Sequence, residues 1–259
     1  MRLITFTRPE RRNAMDLAMY RAYYDALADA EASAEVRAVV VTGAGRTFCA
    51  GADPALLDAL REPETQRELV DGLGYPPHFP LTLKTPIIAA VNGSAAGLGL
   101  VHALHADVRF LADHAVLCTA FSRLGLIAET GSAWLLSHLV GAANALDMLL
   151  SARKVGAAEA VRMGLAQHVA PAGEVVGMAV DYARQLATAC SPTSMAVMKR
   201  QVWASLRQTA AEAAEESVAL MLESFHRPDF AEAVRAVRER RAPSFAPLRP
   251  PDWTTDAKG

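Results

Sequence analysis

Two apolar stretches of this chain each run directly into a glycine-rich turn, and this pattern restricts the possible folds more than any other feature. The first stretch reads VVVTGAGRTFCAGAD at residues 39–53, and the second reads IIAAVNGSAAGLGL at residues 87–100. Glycines that follow a buried strand let backbone N–H groups approach a ligand closely, because no Cβ stands in the way. The sequence therefore predicts two strand–glycine junctions that can aim two backbone amides at one carbonyl oxygen.

The spacing of apolar residues predicts an α/β fold with parallel strands. Strands are expected at residues 3–7, 36–42, 86–92, 107–112 and 115–118, with a helix at 97–105. Strands that alternate with helices favour parallel pairing. After Ser132 the strand signals nearly vanish. Helices are predicted there at residues 132–140, 143–150, 157–163, 173–189, 193–207, 211–225 and 229–240.

The helix that follows the first strand has a predicted cap and a predicted buried face. Asn13 can cap this helix, and Asp16 would complement the positive end of its dipole. An apolar stripe at helical spacing is formed by Leu17, Tyr20, Tyr24 and Leu27. Between residues 54 and 85, prolines divide the pattern into short helical pieces. That segment is either a mobile functional element or a surface excursion.

Composition and charge exclude several classes of protein. With 259 residues, 52% of them hydrophobic and 21% charged, the chain can build one large domain, or one domain with a small appendage. A net charge of −2 gives no electrostatic reason to expect nucleic acid or an anionic membrane as a partner. Cys49, Cys118 and Cys190 are too scattered for a disulfide framework or a zinc site. No apolar run reaches the roughly 18 residues of a membrane span. A cytoplasmic protein is therefore expected.

The two GxG triplets do not complete a dinucleotide-binding motif. Arg46 follows the first triplet, and His102 stands where the second would need another glycine. The chain has no GxSxG, HExxH or GxxxxGK[ST] motif, which excludes serine hydrolase, zinc protease and P-loop chemistry. His102 and His105 lie three residues apart without an evident third ligand, so a structural role is expected. The sequence predicts no cofactor and no metal.

Stabilisation of an oxyanion by backbone amides is the chemistry that remains. A helix N-terminus has unpaired N–H groups and about half a positive charge, which would favour a carbonyl oxygen that becomes an enolate. Removal of one such donor typically costs about 10²–10³ in rate, so two preorganised amides can support a mechanism. The alternative is that the glycines only permit tight turns between strand and helix.

Five segments of the chain closely resemble the enoyl-CoA hydratase/isomerase (crotonase) family. They are RPERRNAM at 8–15, FCAGAD at 48–53, AVNGSAAGLG at 90–99, FSRLGLIAETGSAWLL at 121–136 and PDFAEAVRAVRERRAPSF at 228–245. The resemblance implies a spiral of ββα units at residues 1–190 and a helical trimerisation region with a tail at residues 191–259. It also implies an acyl-CoA thioester as substrate and a homotrimer or hexamer. The family usually has a further strand before the one at Leu3.

The resemblance also implies which residues bind the thioester. The N–H groups of Ala52 and Leu98 would be the oxyanion donors, although Leu98 replaces the usual glycine. The residues implied in CoA binding are Arg12, Ala14, Ala50, Ala52, Asp53, Pro54, Ala55 and Leu98. A basic residue that often follows GAD is absent, because Pro54 and Ala55 stand there. Asp53 is expected to cap the next helix rather than to do chemistry.

The acid–base residues depart most from the family pattern. Val101 and Phe121 stand where the hydratases have two glutamates, and neither side chain can transfer a proton. Glu129 lies where some isomerases and a dehalogenase of the family have an acidic residue. We therefore expect Glu129 to act as a single acid–base that moves a double bond, with hydration as the close rival. The alternatives are a helix N-terminal role for Glu129 and an acyl-CoA-binding homologue without catalysis. A crotonase-fold protease would need a Ser–His or Ser–Lys pair that the sequence does not offer.

Overall fold

The structure is a computed structural model that describes residues 1–248. Residues 249–259, which form most of the predicted tail, lie outside the described residues. Strands and helices alternate through the first half of the chain. They are β1 Arg2–Phe6, α1 Leu17–Ala32, β2 Val39–Gly43, β3 Thr47–Cys49, α2 Pro54–Ala59, α3 Pro63–Asp71, α4 Phe79–Thr82, β4 Ile87–Val91, β5 Ser94–Ala96, α5 Leu98–Leu104, β6 Val108–Ala112 and β7 Val116–Cys118.

The second half is mostly helical, as predicted, but it also contributes two short strands. Its elements are α6 Ser132–Ser151, β8 Val155–Gly156, α7 Ala157–Arg162, β9 His168–Ala170, α8 Val175–Ala189, α9 Pro192–Ser205, α10 Ala210–Ser224 and α11 Pro228–Glu239. Short 3₁₀ turns lie at Pro9–Arg11 and Phe121–Leu124. The expectation that strands nearly end at Ser132 was wrong for β8 and β9. Both are too short to give an alternating pattern, and β9 is an edge strand with exposed residues.

The strands form two sheets, and each repeated ββα unit contributes one strand to each sheet. One sheet has five parallel strands in the order β1-β2-β4-β6-β9. The other has the order β3-β5-β7-β8, with only the β7–β8 pair antiparallel. In the units β2-β3-α2 and β4-β5-α5, the first strand joins the large sheet and the second joins the small one. The predicted α/β fold with parallel pairing is confirmed.

The core lies between the large sheet and the helices that cover it. Every residue of β2 and β4 is buried, which explains why these two strands were the clearest in the sequence. Strands buried on both faces read as continuous β-branched and apolar runs. α8 packs on β4 and β2 through its small residues Ala179 and Ala183.

Asn13 does not cap α1, so that prediction was wrong. Asp16 is the cap, and its carboxylate accepts a hydrogen bond from the Met19 N–H at 2.8 Å. The buried Asn13 amide instead donates to the carbonyl oxygens of Ala44 and Thr47, at 2.9 and 2.7 Å. Asn13 has φ 56°, and asparagine tolerates this left-handed conformation better than most residues. Its function is to fasten the loop after β1 to the first glycine junction.

α6 is the one helix within residues 1–248 that is long and apolar enough to cross a membrane by length and composition. The expectation that no apolar run reaches this length was therefore wrong. A core helix passes the same test, and Gly141, with φ 75° and ψ 158°, interrupts the helical backbone in the middle. The two helical pieces agree with the separate helices predicted at 132–140 and 143–150.

His102 lies in α5 and His105 directly follows this helix, and each is only 1% exposed. The His102 ring packs against Tyr23 and Tyr20, with ring centroids 4.7 and 5.5 Å apart. Neither ring nitrogen of either histidine has a hydrogen-bond partner among residues 1–248. Within the same residues, no group of three His, Cys, Asp or Glu side chains is arranged to hold a metal ion. The structural role expected of these two histidines stays a prediction.

Acid should destabilise the fold through His105. Burial lowers the pKa of His105 from 6.5 to about 4, so only the unfolded chain takes up this proton between these values. The stabilisation is therefore complete above pH 6.5 and is lost as the pH falls towards 4. At pH 5 we expect the free energy of unfolding to be about 2 kcal/mol lower than at pH 8 from this group alone. Urea unfolding at both pH values measures the loss. His105→Met should reduce it, and an unchanged pH slope in that variant would contradict the assignment.

Candidate active site

The two glycine junctions meet because β3 pairs with β5. Cys49 lies opposite Ala95 in this parallel pair, so the chain segments that follow the two strands leave the sheet side by side. A Cβ built on Gly97 would lie 3.9 Å from Gly51 Cα, and a Cβ on Gly51 would lie 2.9 Å from the Ala96 carbonyl oxygen. Gly51 has φ 103° and Gly97 has φ 50°, both in the region that favours glycine. The two backbones approach closely enough to exclude any side chain at Gly51.

The amides directly after these glycines are free. Their neighbours are engaged, since the Gly97 N–H donates to Cys118 O at 3.1 Å and the Asp53 N–H donates to Met15 O at 2.8 Å. In residues 1–248, by contrast, no group accepts a hydrogen bond from the N–H of Ala52 or of Leu98. Leu98 is the first residue of α5, where helical geometry leaves the N–H unpaired. Two unpaired donors therefore follow two touching glycines.

Gly99 packs directly against the main chain of Cys49, and its substitution should destabilise the fold. A Cβ at this position would lie 2.2 Å from the carbonyl oxygen of Cys49, which is main chain and cannot rotate away. We expect Gly99→Ala to lower the free energy of unfolding by about 3 kcal/mol. Gly177→Ala in α8 is the matched control, because nothing lies within 4 Å of a Cβ there. Thermal unfolding of both variants measures the difference, and an unchanged midpoint for Gly99→Ala would contradict the predicted clash.

Most of the predicted CoA-binding residues line a single cleft. Its volume is about 300 Å³, and its walls are Glu10, Arg11, Arg12, Ala14, Ala50, Ala52, Asp53 and Pro54. Ala55 and Leu98 were also predicted to bind CoA but do not line this cleft. A short parallel bridge between Met15 and Ala52 brings the loop after β1 against the first glycine junction. Ala52 therefore lies in the cleft and also carries one of the free amides.

Arg8 fixes one wall of this cleft, although it was not among the predicted site residues. Its guanidinium lies 3.0 Å from the Asp53 carboxylate and donates to the Ala14 carbonyl oxygen at 2.6 Å. The Ala55 N–H, which donates at 3.0 Å, and then Arg8 lower the pKa of the Asp53 carboxyl. Asp53 thus caps α2, as expected. The resemblance at residues 8–15 was the only available signal for Arg8.

Glu129 begins a left-handed turn just before α6. Its carbonyl oxygen accepts a hydrogen bond from the Ser132 N–H at 2.9 Å, and Thr130 and Gly131 between them have φ 52° and 74°. The Glu129 side chain is partly buried, and burial raises the pKa of its carboxyl above the usual 4.5. The sequence could not tell whether burial or the nearby helix would determine the pKa of Glu129. No ion pair to its carboxylate occurs among the described residues 1–248, which leaves the carboxylate available to take up a proton.

Val101 and Phe121 are apolar and buried, at 0% and 4% exposure. Val101 lies in α5 and Phe121 begins the 3₁₀ turn after β7. Neither side chain has a charged group that could hold a water molecule, and neither can deliver a proton. Of the three positions singled out for acid–base chemistry, only the one at Glu129 carries a titratable side chain.

A family model described as enoyl-CoA hydratase/isomerase matches residues 1–247 of the chain. The names of curated relatives agree with this family description. A probable enoyl-CoA hydratase of Rhodobacter capsulatus is 36% identical over 251 residues, which covers 94% of this chain and 93% of the relative. The probable enoyl-CoA hydratase echA12 of Mycobacterium leprae is 34% identical, with 92% of this chain and 84% of the relative covered.

Solved structures have the same fold. The crystal structure of a probable enoyl-CoA hydratase/isomerase from Mycobacterium abscessus matches with a TM-score of 0.85 and 33% identity, covering 95% of both chains. An enoyl-CoA hydratase from Polaromonas sp. JS666 matches with a TM-score of 0.86 and 31% identity, covering 94% of this chain and 95% of the other. The predicted crotonase-like fold is confirmed. By its sequence along nearly its whole length and by its fold, the chain belongs to the enoyl-CoA hydratase/isomerase family of enzymes.

Proposed function

We propose that this enzyme binds an acyl-CoA thioester and stabilises its enolate with the N–H groups of Ala52 and Leu98. The observation that carries the proposal is the contact between the two glycine junctions, which each end in an amide that has no acceptor among residues 1–248. Two fixed donors can stabilise an oxygen that gains negative charge without rearranging during the reaction. Ala52 also lines the cleft next to the loop after β1, so the CoA chain and the thioester oxygen would share one binding segment.

The CoA moiety would occupy this cleft. Arg11 and Arg12 supply positive charge on its wall, which suits the phosphates of CoA, while Ala14 and Ala50 leave room for an adenine ring. Asp53 is neutralised by Arg8 and does not repel the phosphates. Ala55 and Leu98 would contact the thioester end instead of the cleft. The thioester is the substrate, and no additional cofactor is needed for this chemistry.

Glu129 would act as the single acid–base of a double-bond shift. In a 3-enoyl-CoA, its carboxylate removes a proton from C2, and the electron pair forms a dienolate whose oxygen is held by the two amides. The same carboxyl group then returns the proton to C4, which gives the 2-enoyl-CoA without any net change in atoms or electrons. A raised pKa of Glu129 suits both steps, since the group must accept the proton and then release it.

Isomerisation is favoured over hydration because of what surrounds the site. Addition of water needs one group to orient the water and another to deliver a proton, and Val101 and Phe121 can do neither. One carboxylate is sufficient to move a proton along the acyl chain. Hydration by Glu129 with one ordered water is the second candidate, and the names of the curated relatives favour it.

The C-terminal helices would assemble the enzyme as a homotrimer or a hexamer. Within α9 to α11, several large apolar side chains are exposed, among them Met198, Val202, Leu222 and Val237. α10 has no buried residue at all. An apolar face of this kind is costly in water and typically marks an interface. It supports the division into a core at residues 1–190 and an oligomerisation region with a tail at residues 191–259. The enzyme would act in the cytoplasm.

A panel of thioesters tests this function. We expect purified protein to convert 3-enoyl-CoA into 2-enoyl-CoA, detected by the conjugated thioester absorbance and by mass spectrometry. Conversion of 2-enoyl-CoA into 3-hydroxyacyl-CoA would instead support hydration. Thermal shift with a saturated acyl-CoA measures binding without turnover. Stabilisation by that ligand with no turnover of any enoyl-CoA would contradict catalysis and favour the acyl-CoA-binding alternative.

A further inference from the structure

A second cavity lies between α4, α6 and α9, apart from the cleft proposed for CoA. Its volume is about 610 Å³, and it shares no lining residue with that cleft. Its cationic walls are Lys84, Lys199, Arg200 and Arg207, and no acidic side chain of residues 1–248 lines it. A cavity whose walls carry one sign of charge attracts ligands of the opposite sign. The ligand that suits this cavity is therefore an anion.

Two of these cations are committed to ion pairs, whereas Arg207 is not. The Lys199 ammonium group lies 2.8 Å from the Asp107 carboxylate. The Arg200 guanidinium lies 3.2 Å from the Glu216 carboxylate. Arg207 follows α9 and is exposed, and its guanidinium forms no ion pair among residues 1–248. Arg207 is therefore the charge that can bind an anion without breaking a contact of the fold.

Two tryptophan rings give the same cavity an apolar wall. The ring centroids of Trp134 and Trp203 lie 5.6 Å apart, and the His138 ring packs on Trp134 at 4.3 Å. Trp134 is 43% exposed, although tryptophan is highly buried on average. Neighbouring indoles offer a large apolar surface to a hydrocarbon chain. An anion that carries such a chain therefore fits the cavity better than a small inorganic anion.

The cavity begins close to the turn that carries Glu129. Trp134 is the third residue of α6, and the first N–H of this helix, that of Ser132, donates to the Glu129 carbonyl oxygen at 2.9 Å. One helical turn rises about 5.4 Å, so the indole wall starts about one turn from the proposed base. Arg207 follows Trp203 by four residues, which places it about one turn further along. Base, indoles and guanidinium therefore form a chain of neighbours.

We propose that this cavity receives the acyl chain of the thioester and that the preferred acyl group ends in a carboxylate. The chain lies along the indoles, and the Arg207 guanidinium donates two parallel hydrogen bonds to the terminal carboxylate. The CoA phosphates stay in the cleft beside Arg11 and Arg12. The exposed Met198 and Val202 lie on another face of α9, so assembly through them does not need this wall. The inference rests on the proposed function and names its substrate class, the mono-CoA thioesters of unsaturated dicarboxylic acids.

Matched pairs of substrates test the proposal. A 3-enoyl-CoA whose chain ends in a carboxylate is compared with its own methyl ester, over a series of chain lengths. At the best length we expect kcat/KM for the carboxylate to exceed that for the ester about tenfold, the effect of one charge-assisted interaction. In Arg207→Gln this ratio should fall to near one. Arg162→Gln in α7 is the matched control and should keep the ratio, because Arg162 is exposed and lines neither cavity.

A charge reversal tests the same contact by a gain of function. Arg207→Glu should prefer a thioester whose chain ends in an ammonium group over one that ends in a carboxylate. Trp203→Leu should raise KM for the carboxylate and the ester together, because it removes apolar wall but no charge. Thermal unfolding and size-exclusion chromatography establish that each variant is folded and assembled like the wild type.

The proposal is overturned if the wild type does not distinguish the carboxylate from the ester, or if Arg207→Gln keeps the preference. Equal weakening of both substrates in Arg207→Gln would assign this residue to the CoA phosphates, and a changed oligomeric state would assign it to a contact between copies. Either result contradicts the proposal. Calorimetry with the saturated carboxylate and ester thioesters separates its failure from that of the proposed function. A binding preference without turnover of any enoyl-CoA would support this cavity and contradict the isomerisation, whereas turnover without a preference would remove only the substrate class.

Discussion

Glu129→Gln should lower kcat for the 3-enoyl-CoA by about 10²–10⁴, the usual contribution of a positioned acid–base group. Glutamine has nearly the same shape but cannot take a proton from C2 or return one to C4. Because Glu129 is only partly buried and has no ion-pair partner among residues 1–248, the substitution breaks no structural contact there. Stopped-flow or steady-state absorbance at the conjugated thioester band measures the loss.

The pH dependence of the wild type provides a second readout for the same residue. Burial raises the pKa of Glu129, and the base must be ionised in the free enzyme. The activity should therefore fall as the pH drops through a value above 4.5, and this acidic limb should disappear in Glu129→Gln. Glu129→Asp is the conservative control and should retain part of kcat. If Glu129→Gln turns over every enoyl-CoA at the wild-type rate, the proposed mechanism is wrong.

Leu98→Pro should lower kcat by about 10²–10³, because it deletes one of the two oxyanion donors. A backbone donor can be removed only by a residue without an N–H group, and proline is accepted at the first position of a helix. Leu98 holds that position in α5, and Gly97 before it has ψ −124°, outside the helical region that proline would disfavour. The substitution is therefore compatible with the local backbone.

Leu98→Ala is the matched control for this deletion. It shortens a partly buried side chain but keeps the N–H group, so kcat should remain near the wild-type value. Circular dichroism and thermal unfolding establish that both variants are folded. Equal activities of Leu98→Pro and Leu98→Ala would show that the Leu98 amide does not stabilise the oxyanion.

Long buried elements could be predicted from the sequence because their patterns are strong. β2 and β4 are buried on both faces and read as unbroken apolar runs, and the helices from α6 onwards follow a clear helical period. The two glycine junctions were equally readable, since the apolar runs of β2 and β4 lead into the glycine-rich stretches that contain Gly51 and Gly97. Their mutual contact was expected from the pattern, and the pairing of β3 with β5 explains it.

Contacts between distant residues could not be read in this way. β3 and β5 are three residues long, too short to show a period. Asn13 resembles a helix cap by residue type and position, but its amide donates instead to the carbonyl oxygens of Ala44, between β2 and β3, and of Thr47, at the start of β3. Tyr20 belongs to a helical apolar stripe, and only the folded chain reveals that its ring packs against the ring of His102 from α5. A single sequence gives the type of each residue, but it does not show which distant residues come into contact in the fold.

The most direct test of the central claim follows the substrate proton itself. A 3-enoyl-CoA deuterated at C2 is incubated with the enzyme in ordinary water, and the products are analysed by mass spectrometry and NMR. A single carboxylate that carries the proton from C2 to C4 should give 2-enoyl-CoA with deuterium at C4 in a fraction of the molecules, and Glu129→Gln should give none. Recovery of the 3-enoyl-CoA unchanged, or equal product from Glu129→Gln, would contradict the account.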